Sequence, residues 1–137
     1  MLMRNTIWGA AVFFAVTHAG AVYAQLPGSG AHLALRRTPL QTLNVPGSNY
    51  QVVIGISELA PNGVVGGESH PGPETGYVLR GSATLLIRGQ QPLPLKPGQS
   101  WKTGTDVVHE FRAGPEGLKA LVTWLVHKAK PFATPAK

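Results

Sequence analysis

The 137-residue chain contains no cysteine. That excludes a disulfide framework, a thiolate nucleophile and a cysteine-ligated zinc site, so any metal must be held by His, Asp or Glu. Charge is sparse: charged residues make up 13% of the chain and apolar residues 43%. Disorder of the whole chain would need low hydrophobicity with high net charge and is excluded. Helical periodicity is missing downstream of the first 24 residues, while 17 glycines and 12 prolines point to many turns. The length suits one domain. A net charge of +6 raises the question of nucleic acid. The basic residues are scattered, however, with no stripe alternating with aromatics and no nucleic-acid motif, so the reading is no nucleic-acid partner. The charge is read as solubility and a mild preference for acidic small molecules.

Residues 1–24 carry a short positive start at Arg4, an apolar stretch from Ile7 to Val16, and Val22-Tyr23-Ala24 as a small-x-small cleavage signature. The expectation is a cleaved signal peptide, with the remainder periplasmic or secreted and no stable membrane insertion after cleavage. An uncleaved anchor is the alternative, but the span only reaches the lower length limit for crossing a bilayer and contains Thr17 and His18. Residues 25–46 read as an N-terminal arm, 47–128 as a barrel domain and 129–137 as a basic, loosely held tail.

From Tyr50 the pattern becomes β-like. Tyr50 to Leu59 is rich in β-branched residues and puts Tyr50, Val52, Ile54 and Ile56 on one face. Pro61-Asn62-Gly63 breaks it. Further strands are predicted at Gly76–Leu79, Ala83–Arg88, Val107–Arg112 and Leu118–Val126, with breaks at Arg80-Gly81-Ser82, Gly89-Gln90-Gln91, Lys96-Pro97-Gly98 and Ala113–Gly117. Short strands at this spacing predict an all-β sandwich or barrel. Trp101, Trp124 and Phe111 are expected in its core, Phe111 also as a candidate pocket residue. Tyr77 is read as strand packing, within reach of a site. Gly81 and Gly98 are read as turn positions needing unusual backbone angles.

Four of the six acidic residues lie within four positions of His70 or His109: Glu68, Glu74, Asp106 and Glu110. Glu68 and His70, two apart, share a face on a strand. His70, His109 and a carboxylate match the two-His, one-carboxylate facial arrangement that holds Fe(II), and a further oxygen ligand from Glu68 would suit Mn(II), Fe(II) or Zn(II). Spacing alone leaves open that these are surface or hydrogen-bonded core histidines. His32 and His127 have no partner motif and are read as surface residues.

The stretch Gly63-…-Glu68-Ser69-His70-Pro71-Gly72-Pro73-Glu74-…-Gly81 resembles the first motif of the cupin superfamily, and Gly98-…-Gly104-Thr105-Asp106-Val107-Val108-His109-…-Ala113 resembles the second. His70-Pro-Gly-Pro-Glu74-Thr-Gly-Tyr-Val-Leu-Arg-Gly81 is especially similar to the small single-domain cupins. The resemblance implies a double-stranded β-helix (jelly-roll) barrel and carries His70, Glu74 and His109 over as metal ligands. It departs at Glu68, where the family has His; at Gly104 and Asp106, where it has Pro and Gly; and at Ala113, where it has Asn. Glu68 is then either a fourth ligand or, unligated, a general base. The implied cofactor is a divalent transition metal: Fe(II), Mn(II) or Zn(II). The implied function is a metal-dependent enzyme of oxygenase or isomerase type acting on a small organic molecule. A non-catalytic small-ligand module and a structural barrel with a lost metal site are the alternatives. Small cupins also pair as dimers, often through an N-terminal strand, for which 33–43 is the candidate; an arm folded on its own barrel is the other reading.

Overall fold

The structure, a computed structural model, describes residues 35–136. The segment read as a signal peptide (1–24), His32 and the first part of the arm lie outside the described residues. All regular structure is β: β1 (Arg36–Asn44), β2 (Tyr50–Leu59), β3 (Val64–Ser69), β4 (Glu74–Ile87), β5 (Leu93–Leu95), β6 (Ser100–Thr103), β7 (His109–His127) and β8 (Thr134–Pro135). They form one 8-stranded antiparallel sheet that runs β1-β2-β7-β3-β8, with β4 paired to β5, β6 and β7. Among the described residues no helix is long and apolar enough to cross a membrane.

β4 and β7 organise the barrel. The sequence breaks expected at Arg80-Gly81-Ser82 and Ala113–Gly117 fall inside these strands, which continue through them as bends. The β4–β7 register shifts between Val78 and Arg80 and again between Gly81 and Ala83. Two glycines make this passable: Gly81 and Gly117 have φ of 73° and 75°, and a Cβ on Gly81 would sit 2.0 Å from the Gly117 carbonyl oxygen. Beyond the bend each strand changes neighbours. The start of β7 lies between β3 and the end of β4, while its remainder lies between β2 and the start of β4. This exchange folds the sheet back over itself as a double-stranded β-helix.

The interior is filled by Val53, Leu59, Val78, Leu85, Leu95, Phe111, Val122 and Trp124, with Trp101 from β6. Each fully buried aliphatic side chain contributes roughly 1.5–3 kcal/mol of apolar transfer. In β2 the inward positions are Val53, Gly55, Ser57 and Leu59; Tyr50, Val52, Ile54 and Ile56 do share a face, but it is the outer one. The strand is apolar on both sides, so alternation alone does not tell inside from outside. The same parity turns Tyr77 outward, away from Glu74, with 47% of its surface exposed. It cannot reach the site; instead it lines an external groove with Ile87, Leu93 and Leu121.

The tail is better anchored than its composition suggests. β8 pairs with Glu68 and Ser69 of β3, and the Phe132 ring packs edge-on against Trp124, centroids 5.4 Å apart. His127 is half-buried against Tyr50 rather than facing solvent freely.

Candidate metal centre

The two motif histidines are brought together by loops locked to the barrel. His70 opens the Pro71-Gly72-Pro73 link between β3 and β4. This link lies so close to β7 that a Cβ on Gly72 would stand 2.0 Å from the Leu125 carbonyl oxygen. The Leu125 N–H donates to the Pro73 carbonyl at 3.0 Å, fixing that approach. His109 is the first residue of β7. Just before it, the Asp106 N–H donates to the His70 carbonyl at 2.8 Å, tying the two motif loops to each other. Asp106 has φ of 57°, so it adopts the left-handed conformation at the position where the second motif carries Gly. The substitution keeps the backbone path.

The imidazoles of His70 and His109 are 3% and 2% exposed, with centroids 5.4 Å apart. His70 Nδ1 lies 2.8 Å from the Phe132 carbonyl and His109 Nδ1 3.0 Å from the Val107 carbonyl. A carbonyl only accepts, so both Nδ1 atoms carry the proton and donate it, and in the neutral ring each Nε2 offers its lone pair. Both Nε2 atoms are buried and have no hydrogen-bond partner among the described residues. Such orphaned acceptors are costly unless something electron-poor occupies the space between them. A backbone carbonyl on Nδ1 with Nε2 presented inward is the arrangement by which proteins orient a metal-ligating histidine.

Glu68, on β3 and paired with His109 in register, completes a group whose ligand atoms lie within 4.8 Å of one another: Glu68, His70 and His109. Its Oε1 is 3.6 Å from His70 Nε2 and accepts a hydrogen bond from Nη2 of Arg37. The chemistry of the set, two neutral imidazoles and a carboxylate, fits a divalent transition metal.

Glu74 is 4% exposed and both its oxygens are engaged: Trp101 Nε1–H donates to Oε1 at 2.8 Å and Trp124 Nε1–H to Oε2 at 2.6 Å. Oε2 also lies 3.3 Å from His70 Nε2. Burial pushes the Glu74 carboxyl up, but the adjacent His70 imidazole and the Trp101 N–H, helped by nearby His109, bring it below the ordinary 4.5. For His70, burial pulls the imidazole down; Glu74, the Phe132 carbonyl and Glu68 outweigh it, and the group lies above the ordinary 6.5.

The structure therefore gathers Glu68, His70, Glu74 and His109 at one end of the barrel interior. Glu68, His70 and His109 form the mutually close group, and Glu74 joins it at His70. Phe111 packs edge-on to His109, centroids 5.8 Å apart, and lines an internal cavity of about 20 Å³ with Glu74, Trp101 and Trp124. That space admits about one water molecule. Sequence reasoning missed three participants. Trp101 and Trp124 were read only as core, although an indole needs a buried acceptor for its N–H. Arg37 was one base among the scattered ones. On β1 it is the residue turned inward while its neighbour Arg36 faces out to Glu58, and its guanidinium lies 5.3 Å over the Phe132 ring.

A cupin domain family model matches residues 55–125, just over half of the chain. None of the curated proteins matches it in sequence. Among solved structures, the DMSP lyase DddQ from Ruegeria pomeroyi superposes with a TM-score of 0.63 at 20% identity, over 74% of this chain and 51% of that one. The chain thus spans about half the length of that lyase. A double-stranded β-helix protein from Klebsiella pneumoniae aligns over 84% of this chain and 91% of its own, with a TM-score of 0.59 and 20% identity. An oxalate oxidase in complex with glycolate aligns over 61% of this chain and 45% of its own, with a TM-score of 0.52 and 17% identity. At these identities the likeness speaks for the fold. Together with the family match and both motifs in their expected places, it means that this chain belongs to the cupin family.

Proposed function

We propose that the protein is a metal-dependent cupin enzyme of oxygenase or isomerase type, acting on a small organic molecule outside the cytoplasm. One observation carries the metal: two buried imidazoles whose Nδ1–H groups are tied to backbone carbonyls, and whose bare Nε2 atoms face a carboxylate. His70, His109 and Glu68 would hold the ion. Glu74 would be the fourth ligand through a remaining lone pair on Oε2, its carboxylate oriented by the two tryptophans. A divalent Fe, Mn or Zn ion bound there supplies Lewis-acid polarisation of a substrate oxygen or, for iron and manganese, redox chemistry toward dioxygen.

The chain's own residues do the rest. The Trp101–Glu74–Trp124 clamp fixes one carboxylate in an apolar interior, so that site geometry costs little reorganisation. Phe132 covers His70 and, with Phe111, keeps water from the imidazoles. Glu68, at 14% side-chain exposure the most accessible of the four, is placed to accept a substrate proton where it does not ligate. The neighbours named for oxalate oxidase and for DMSP lyase support an enzyme of small molecules, as shared fold rather than shared activity.

Export rests on the 1–24 pattern. Pairing as a homodimer is supported by β1, an edge strand that exposes Leu40 (52%) and Leu43 (71%). The test of function is reconstitution of the purified protein with Fe(II), Mn(II) or Zn(II), followed by oxygen-uptake and isomerisation screens against small organic acids, alcohols and sugars. Turnover lost in His109→Ala supports the enzyme. Stoichiometric metal with ligand binding and no turnover with any ion would replace it by the non-catalytic binding module.

A further inference from the structure

The chain leaves the barrel at His127, the last residue of β7, and returns to it at Phe132. In between, Lys128, Ala129, Lys130 and Pro131 are exposed. Residues 132–136 then meet the metal centre at several points. The Phe132 carbonyl accepts the Nδ1–H of His70 at 2.8 Å, and the Phe132 ring packs against the same imidazole, centroids 4.9 Å apart. β8 pairs Pro135 with Glu68 and Thr134 with Ser69, and the Ala136 N–H donates to the Gly67 carbonyl at 2.7 Å. The Phe132 ring also meets the Arg37 guanidinium that holds Glu68 and the Trp124 indole that holds Glu74. Three of the four candidate ligands are thus oriented through this segment. Only His109 is held elsewhere, by the Val107 carbonyl of its own loop.

The attachment is slight for so central a position. β8 is two residues long, its Thr134 and Pro135 are exposed, and the half-buried Phe132 ring is the segment's main apolar anchor. So short a pairing is marginal by itself, and a segment with few buried contacts opens at the low end of local stabilities. A cation on the Nε2 lone pair of His70 fixes the imidazole and polarises its Nδ1–H, which strengthens the bond to the Phe132 carbonyl. A cation on Glu68 fixes the end of β3 against which β8 lies. Docking of the segment and occupancy of the site therefore favour each other, and by the same factor.

We propose that residues 132–136 form a strap coupled to the metal site. Phe132 is the positioning residue of His70, β8 positions Glu68, and the strap docks more firmly when the ion is bound. This rests on the metal reading of the site.

The test uses the full chain and Zn(II). Affinity is read by competition with a chelator, and docking by hydrogen exchange of the Phe132, Ala133, Thr134 and Ala136 amides with and without the ion. In the wild type, Zn(II) is expected to slow that exchange about tenfold or more. Phe132→Ala, which removes the anchor, weakens Zn(II) binding about tenfold or more. Ala136→Pro, which deletes the N–H given to Gly67, weakens it in the same direction, and Phe132→Leu recovers most of what Phe132→Ala loses. Leu95→Ala truncates the core on β5, away from the centre; it lowers Tm and leaves Zn(II) affinity unchanged.

Wild-type Zn(II) affinity in folded Phe132→Ala and Ala136→Pro overturns the proposal and leaves the metal site standing. So does tail exchange that Zn(II) does not alter, a measurement on the wild type that decides the matter if a variant fails to fold. An equal weakening in Leu95→Ala also overturns it, since affinity would then only track stability. A wild type that takes up no Zn(II) removes the metal reading and this proposal together.

Discussion

Replacing Glu74 by Gln tests the clamp at the base of the site. The carboxylate accepts from both indoles at 2.8 and 2.6 Å while only 4% exposed. A Gln side chain of the same shape has one acceptor oxygen and one NH₂ group, so whichever way it turns, one indole N–H faces another donor. Leaving that donor unsatisfied costs about 1–3 kcal/mol, and turning the surviving charge-assisted bond into a neutral one costs about 1 kcal/mol more. The sum is about 3 kcal/mol, or a fall in Tm of about 15 °C for a domain of this size. The assay is urea and thermal unfolding of the metal-stripped protein at neutral pH. Trp124→Phe removes one of the competing donors, and the Glu74→Gln/Trp124→Phe double variant should recover about 1–2 kcal/mol of the additive loss. The pH dependence has a definite sign. Glu74 lies below its ordinary value in the folded protein, so its contribution is present above about 4.5 and is lost as pH falls through the folded value. The gap between wild type and Glu74→Gln must therefore narrow in acid. A Glu74→Gln protein as stable as the wild type at neutral pH, or a gap that widens in acid, would refute the reasoning.

Three further outcomes follow from the same geometry. Gly81→Ala should destabilise the fold by about 3 kcal/mol or more in chemical denaturation, because the new Cβ meets the Gly117 carbonyl at 2.0 Å and φ is 73°; a loss under about 1 kcal/mol would mean the bend relaxes freely. Asp106→Gly should leave stability unchanged or raise it by up to about 1 kcal/mol, since it relieves a positive φ of 57°; a clear loss would show that the Asp side chain has a role of its own. Metal affinity, read by competition with a chelator, should weaken as pH falls through neutrality: His70 lies above its ordinary 6.5, so protons compete for its Nε2 earlier than for a free imidazole. A pH-independent affinity between pH 6 and pH 8 would contradict that.

Much of the fold was legible because its signals are local. Alternation and turn chemistry marked β2 and marked β4 and β7 as two pieces each, and the two motifs located His70, Glu74 and His109. What stayed hidden depends on long-range packing. Gly81 and the Ala113–Gly117 run look like turns, yet each continues a strand because the facing glycines let two backbones pass close together. β2 is apolar on both faces, so its inward side is decided by its neighbours. The site followed the same division. Residue types, spacing and the motif resemblance named the candidate ligands, whereas the partners that orient them come from distant positions. The Phe132 carbonyl, 62 residues from His70, and the Trp124 indole, 50 residues from Glu74, have no local signature. Arg37 was equally hidden, since only pairing with β2 turns it inward while Arg36 turns out.

The most direct test of the central claim is the metal content of the purified protein after reconstitution, beside His70→Ala and His109→Ala with folding checked by near-UV dichroism. Close to one transition-metal ion per chain, lost in each folded variant, is the predicted result. Folded wild type that takes up no Fe(II), Mn(II) or Zn(II), or variants that bind metal as tightly as the wild type, would contradict it.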